Sequence, residues 1–264
     1  MLVVLKDTRE QVGQEAARIV ANAVRGNPSI VLGLATGSTP LGMYEELVSL
    51  HRTSQLDFSK TTSFNLDEYL GLSPDNPQSF HYFMHSNFFS QVNFSPERIH
   101  IPDGTIRGNY SAYCDGYEQE IKRAGGIDLQ ILGIGRNGHI GFNEPTSSLA
   151  SRTRLKELTH ETIEDNRKFF PHGSEIPQCA ITMGIGTILD TRRILILATG
   201  KSKAAAVAKA IEGPISSSVS ASALQLHPDV TFIIDEDAAF ALTQRDYYHH
   251  VLELTKKYTP EKLA

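Results

Sequence analysis

A histidine, a carboxylate and a hydroxyl-rich loop stand in this chain where they could do chemistry. The stretch "ILGIGRNGHIGFNEP" holds His139 among glycines, with Glu144 close behind it. A histidine oriented by a carboxylate is an acid–base device near neutral pH, because imidazole both accepts and donates a proton there. In "SFNLDEYLGL", Asp67 follows a strand-like run. The carboxyl end of a parallel strand is where ligands sit, so a carboxylate there can serve as a general base. In "LATGSTPLGMYEEL", Thr36, Gly37, Ser38 and Thr39 lead into Pro40 and a helix. Proline suits a first helical turn, glycine lets amides approach a ligand, and a helix N-terminus attracts an anion, so this reads as a phosphate cradle. Lys201 and Lys203 open a later helix after a strand, a good place to reach the same anion.

Each motif also has a plain structural reading. Thr36–Thr39 could be an ordinary turn with Thr39 as N-cap, Asp67-Glu68 a turn-capping pair, His139 a structural histidine, and the lysines solvated. The spacing Gly133-x-Gly135-x-x-Gly138 matches a dinucleotide fingerprint, but those glycines must open a long helix. Here Gly141 and Pro145 interrupt it, and no acidic residue closes a second strand about 20 positions on. No dinucleotide is expected, and the glycines are assigned to His139. His81 and His85 in "HYFMH" have metal-like spacing, yet Tyr82 stands where a metalloprotease helix carries glutamate. A packed aromatic helix, and no metal, is expected there.

The elements that must position these residues alternate along the chain. The runs "LVVL", "SIVLGLA", "TTSFNL", "IDLQILGIG", "RRILILATG" and "DVTFIID" read as buried strands, separated by helical patterns. Thr8 with Gln11 reads as a capping box for the first helix. This predicts an α/β fold, Rossmann-like, with a mostly parallel open sheet flanked by helices on both faces. Residues 1–264 read as one domain. The polar segment within about 147–177 could cover the site as a lid, and "GPISSSVSASA" reads as a mobile connection.

A length of 264 residues, 40% hydrophobic and 21% charged, suits a soluble globular protein with a substantial core. Net charge is −5, so nucleic acid is not an expected partner. No apolar stretch reaches membrane-spanning length and the N-terminus lacks a signal peptide, so a cytoplasmic location is expected, with Cys114 and Cys179 as reduced thiols. Together the anion cradle, the carboxylate and the His–Glu pair point to an enzyme acting on a phosphorylated metabolite.

The combination of "LATGSTPLGMYEEL", "FNLDEYLGL", "FMHSNFF", "GRNGHIGFNEPTSSLASRTRLK" and "SALQLHPDV" resembles the glucosamine-6-phosphate deaminase (isomerizing) family, from the first strand to about Asp235. The resemblance implies conversion of glucosamine 6-phosphate to fructose 6-phosphate and ammonia without an organic cofactor. It implies that His139 opens the pyranose ring, that Glu144 orients the imidazole, and that Asp67 moves a proton from C2 to C1. Thr36, Gly37, Ser38, Thr39 and Lys203 match phosphate-binding positions. Many members carry Asp beside the catalytic histidine where this chain has Asn137. The lid position that usually holds a phosphate-binding Arg falls on Lys168, with Arg167 adjacent. Allosteric hexameric members bind N-acetylglucosamine 6-phosphate between subunits, at positions matched here by Ser147, Arg154 and Lys156; monomeric members keep parts of the same stretch. Two other readings are a 6-phosphogluconolactonase and a non-catalytic sugar-phosphate sensor. "FNLDEY" and "HIGFNEP" disfavour the first. The intact acid–base set, and the absence of a helix-turn-helix before Met1, disfavour the second.

Overall fold

The computed structural model describes residues 1–171 and 173–260. Seven strands form the main sheet: β1 (Leu2–Lys6), β2 (Val31–Leu34), β3 (Thr62–Asn65), β5 (Ile99–His100), β6 (Leu129–Gly133), β9 (Arg193–Ala198) and β10 (Val230–Asp235). Their order is β1-β10-β9-β6-β2-β3-β5, and every neighbouring pair is parallel. The central strands are apolar on both faces because both faces are covered. Along β9, Ile194 and Ile196 enter one core with Phe64 and Phe232, while Leu195 and Leu197 enter the other with Leu32 and Ile131.

The first core is closed by α4 (Tyr110–Arg123), α6 (Ile185–Leu189) and α7 (Ala204–Ile211); the second by α1 (Arg9–Gly26), α2 (Leu41–Arg52) and α3 (Phe80–Asn87). The last helix, α8 (Arg245–Tyr258), puts Tyr248 into one core and Leu252 into the other. Helices α1 and α2 nearly touch at Gly13, where a Cβ would lie 2.9 Å from the carbonyl carbon of Gly42. Thr8 does cap α1, its hydroxyl accepting from the Gln11 amide at 3.3 Å, but the Gln11 side chain accepts from the amide of Asp7 rather than of Thr8.

From the edge the chain enters the centre at β2 and moves outward through β3 to β5. It then returns to the other side of β2 at β6 and continues through β9 and β10. The order therefore reverses between β2 and β6. The carboxyl ends of two such strands open a crevice, and both candidate loops, the one after β2 and the one after β6, flank it.

Two features depart from the expected picture. A second sheet of β4 (Asp67–Tyr69), β8 (Cys179–Thr182) and β7 (Arg154–Glu157) is antiparallel throughout. It carries the first half of the expected lid, and α5 (His160–Arg167) carries the rest. An aromatic cluster fastens it: Tyr69 lies 4.7 Å from Phe80, 5.4 Å from Phe142 and 5.7 Å from Phe170, between ring centroids. Secondly, the stretch read as a mobile connection is packed. Ser220 to Leu224 are buried, and Ser222 Oγ bridges the Ser216 amide and carbonyl. Its small residues allow close approach to the backbone of the loop after β6, which composition alone does not reveal.

Candidate active site

The loop after β6 is shaped around His139. Gly138 adopts φ +89°, and its amide closes a turn on the Gly135 carbonyl at 3.0 Å, while the Gly135 amide donates to the His139 carbonyl at 2.8 Å. The imidazole lies over the α-carbon of Gly135, where a Cβ would be 2.4 Å from the ring. Val219 covers Gly138 in the same way, at 2.5 Å. The glycines thus hold a histidine loop, not a pyrophosphate.

The far side of the ring meets Glu144. His139 Nδ1 is 3.4 Å from Glu144 Oε2, and the carboxylate is 1% exposed. Asn137 joins the two through its side chain: Nδ2 donates to Glu144 Oε2 at 3.2 Å, and Oδ1 accepts from the His139 amide at 3.1 Å. Burial pushes the Glu144 carboxyl up, but the His139 ring, the Thr162 hydroxyl and the Asn137 amide outweigh it and hold it at about 2. Glu144 is an anion at any working pH, and it stands beside Nδ1 of the ring.

Asp67 and Glu68 have separate roles. Glu68 accepts from the amides of Tyr69, Phe80 and His81 at 2.8–2.9 Å, so it caps the start of α3. Asp67, 7% exposed, gains no such donors. Burial, and then the neighbouring Glu68 charge, push its carboxyl up to about 8. The His139 loop crosses it at Gly141, whose φ of +54° suits glycine. A Cβ at Gly141 would stand 2.9 Å from Thr182 Oγ1 and 3.7 Å from Asp67 Oδ2. Thr182, paired with Asp67 across the second sheet, accepts from the Phe142 amide at 3.1 Å. Asp67 and the histidine loop therefore meet at one point, although they come from different sheets.

The phosphate-cradle stretch differs from expectation in one detail. α2 begins at Leu41, Pro40 occupies the cap position, and no side chain caps the helix. Pro40 already has helical dihedrals, as the sequence suggests for a first helical residue, but Thr39 makes no capping hydrogen bond to the turn that follows. Gly37 turns the chain between Thr36 and Ser38 with φ +101°. Arg9 of α1 holds the loop from outside through the Ser38 carbonyl.

Lys203 lies in a short turn after β9, introduced by Gly200, whose amide donates to both Asp235 oxygens at 3.0 Å. Burial lowers its pKa; nearby Asp165 opposes this, and Arg136 and Lys168 add to it. Lys168 is exposed with its ammonium 5.0 Å from the Phe169 ring centroid, and Arg167 is exposed and paired with Glu164 at 2.9 Å. Of the matched activator residues, Arg154 donates to Asn143 Oδ1 at 2.9 Å and to Ser147 Oγ at 3.2 Å, and Lys156 pairs with Glu157. Among the described residues no cluster of His, Cys, Asp and Glu has the makings of a metal site. His81 and His85 stack at 4.5 Å, with Phe89 beyond.

Several site residues carry no local signal in sequence. Thr182, Ser220 and Thr162 act on the His139 loop or on Glu144 from distant segments. Ser220 Oγ donates to the Asn143 carbonyl at 2.7 Å and accepts from the Ile140 amide at 3.3 Å.

The family described as glucosamine-6-phosphate isomerases/6-phosphogluconolactonase matches residues 5–232. The chain belongs to this family. Within the glucosamine-6-phosphate isomerase/6-phosphogluconolactonase family, it is 50% identical over 246 residues to a glucosamine-6-phosphate deaminase of Thermoanaerobacter pseudethanolicus, covering 93% of this chain and 97% of that one. Another, from Halothermothrix orenii, is 51% identical over 242 residues, covering 92% and 100%. A solved monomeric glucosamine-6-phosphate deaminase matches with TM-score 0.89 at 49% identity, over 91% of this chain and 100% of that chain. A 6-phosphogluconolactonase from Trypanosoma brucei shares the fold, with TM-score 0.72 at 17% identity over 92% and 98%.

Proposed function

We propose that the protein is a glucosamine-6-phosphate deaminase, converting glucosamine 6-phosphate to fructose 6-phosphate and ammonia in amino-sugar catabolism. The observation that carries this is the meeting of Asp67 with the His139–Glu144 loop at Gly141, and relatives of that name at half identity support it.

In this reading His139 takes the O1 proton of the pyranose through Nε2 and returns it to O5, opening the ring. Glu144 and Asn137 keep the imidazole oriented and stabilise its charged form. Asp67 removes the C2 proton and delivers it to C1, moving the double bond to give an imine at C2. Water then adds at C2 and ammonia leaves, so atoms balance with no redox step. A carboxyl held near 8 suits this transfer, because a base that must also give the proton back works best with a pKa near the operating pH. The loop Thr36–Thr39, with Lys203 and Lys168, takes the phosphate, and the segment 147–177 covers it. No helix among the described residues is long and apolar enough to cross a membrane, and a cytoplasmic location goes with the reading.

Ammonia release from glucosamine 6-phosphate by the purified protein tests the proposal, with 6-phosphogluconolactone hydrolysis as the competing assay. Lactone hydrolysis without ammonia release would overturn it. A second reading concerns regulation. Ser147 and Arg154 are bonded together and Lys156 shares their face of β7, an arrangement able to take an anion such as N-acetylglucosamine 6-phosphate at a subunit interface of a homo-hexamer. Arg154 would have to give up Asn143, which hydrogen-bonds the Ile140 carbonyl beside His139 at 2.9 Å. Sedimentation with and without that ligand decides it.

A further inference from the structure

Arg136 stands two residues before Gly138 at the start of the histidine loop, and its guanidinium donates to Asp165 Oδ1 at 2.8 Å. Asp165 lies on α5 one turn beyond Thr162, whose buried hydroxyl faces Glu144. The ammonium of Lys203 lies within electrostatic reach of Asp165, Arg136 and Lys168 together. Three cations from three separate segments, Lys203 in the turn after β9, Lys168 at the end of α5 and Arg136 in the loop after β6, therefore share one electrostatic neighbourhood, and Arg136 is the one bonded to Asp165. Two of the three, Lys203 and Lys168, are the cations assigned above to the substrate phosphate. Arg136 lies within the stretch "GRNGHIGFNEP" but has no role in that assignment.

A carboxylate among converging cations is a poor competitor for a phosphate. It carries one charge on two oxygens, against up to two charges on three, and a guanidinium fork meets phosphate bidentately. The pair Arg136–Asp165 is exposed at Arg136 and gains little in water. We propose that Arg136 is a phosphate-binding residue of this site, and that Asp165 is its resident counter-ion, displaced when the sugar phosphate enters. The proposal rests on the sugar-phosphate reading given above. It adds a third cation to the phosphate site and gives α5 a way to stay docked over the site when no substrate is bound.

The exchange predicts effects of opposite sign at the two ends of one ion pair. Titration calorimetry with glucosamine 6-phosphate is carried out on the Asp67→Asn protein, where turnover is blocked, with unphosphorylated glucosamine as the control. Adding Arg136→Gln should weaken binding of the phosphorylated sugar about tenfold, the loss of one charge-assisted contact. Adding Asp165→Asn should tighten it about threefold or more, because the competing anion is gone. A simple latch between loop and helix predicts the same sign for both, each weakening binding. Unchanged affinity in Arg136→Gln, or weaker affinity in Asp165→Asn with an unaltered thermal melt, overturns the exchange. If the starting protein fails to bind the sugar phosphate at all, the proposed function falls, and the exchange with it.

Discussion

Asp67→Asn should make the protein more stable while removing its activity. The folded chain holds the Asp67 carboxyl at about 8, through burial and the Glu68 charge, against an ordinary value of 3.8. A carboxyl whose folded pKa is raised keeps its proton in the native state while the unfolded chain releases it. The unfolded state then binds fewer protons, and stability falls as pH climbs from 3.8 to 8. At pH 7 the native state retains that proton over about three pH units, which costs roughly 4 kcal/mol at 1.36 kcal/mol per unit. Asparagine escapes this cost but buries an amide of its own, so about half, ~2 kcal/mol, should survive as a net gain. For a chain of this size that corresponds to a Tm higher by about 4–8 °C at pH 7. Thermal melts of both proteins at pH 5, 6, 7 and 8, beside an ammonia-release assay, check it. The gain should be small at pH 5 and grow towards pH 8. A variant no more stable than wild type at pH 8, or a gain that does not change with pH, would refute the argument that burial holds the Asp67 proton.

Four other substitutions test other parts of the site. Gly135→Ala places a methyl 2.4 Å from the His139 ring and should lower kcat about 100-fold with little change in KM, measured by steady-state kinetics. Lys203→Ala should raise KM about tenfold through one lost phosphate contact; saturation curves with an unchanged KM would make it a surface lysine. Glu144→Gln should destabilise the fold at neutral pH by a few kcal/mol: a carboxyl depressed from 4.5 to about 2 contributes stability that is present above 4.5 and lost as pH falls through 2, so denaturant melts of variant and wild type should draw together as pH falls from 4.5 and converge only below about 2. Asn137→Asp sets a second carboxylate where an amide now donates to Glu144 at 3.2 Å, and should move the acid limb of kcat/KM to higher pH by favouring imidazolium at His139; a limb that stays in place would make Asn137 a hydrogen-bonding spacer.

The parallel sheet was legible because buried strands carry apolar runs such as "ILILA" and "FII", and the catalytic candidates because each follows a strand-like run. The second sheet was hidden for the opposite reason. β4 reads Asp-Glu-Tyr and β7 reads Arg-Leu-Lys-Glu, with no apolar run to mark either, and they pair only through β8, more than twenty residues beyond β7. The serine-rich stretch misled because composition reports flexibility only where nothing packs. Here Ser220 and Val219 fit against glycines of the histidine loop, and small side chains are what such an approach requires. The pairing of Arg167 with Glu164 also needed coordinates, since the rotamer of a long side chain decides which neighbour along the helix it meets.

Three buried carboxylates in this site share one chemistry and differ only in their donors, which is what separates their roles. Burial alone would push all three up. Glu68 has three backbone amides and nothing else, which is the environment of a helix cap. Glu144 has a histidine, an amide and a hydroxyl, which hold it as a permanent anion beside the ring. Asp67 has no comparable donor and a like charge next to it, so its carboxyl is pushed up furthest, to about 8, against about 7 for the amide-bonded Glu68, into the range where proton transfer to and from carbon is useful. Gly141 preserves that condition. Any side chain there would press on Thr182 and come into contact with Asp67 Oδ2, and a polar one could supply the donor that Asp67 lacks. The proposed base is thus specified as much by the glycine that leaves it unpaired as by the carboxylate itself.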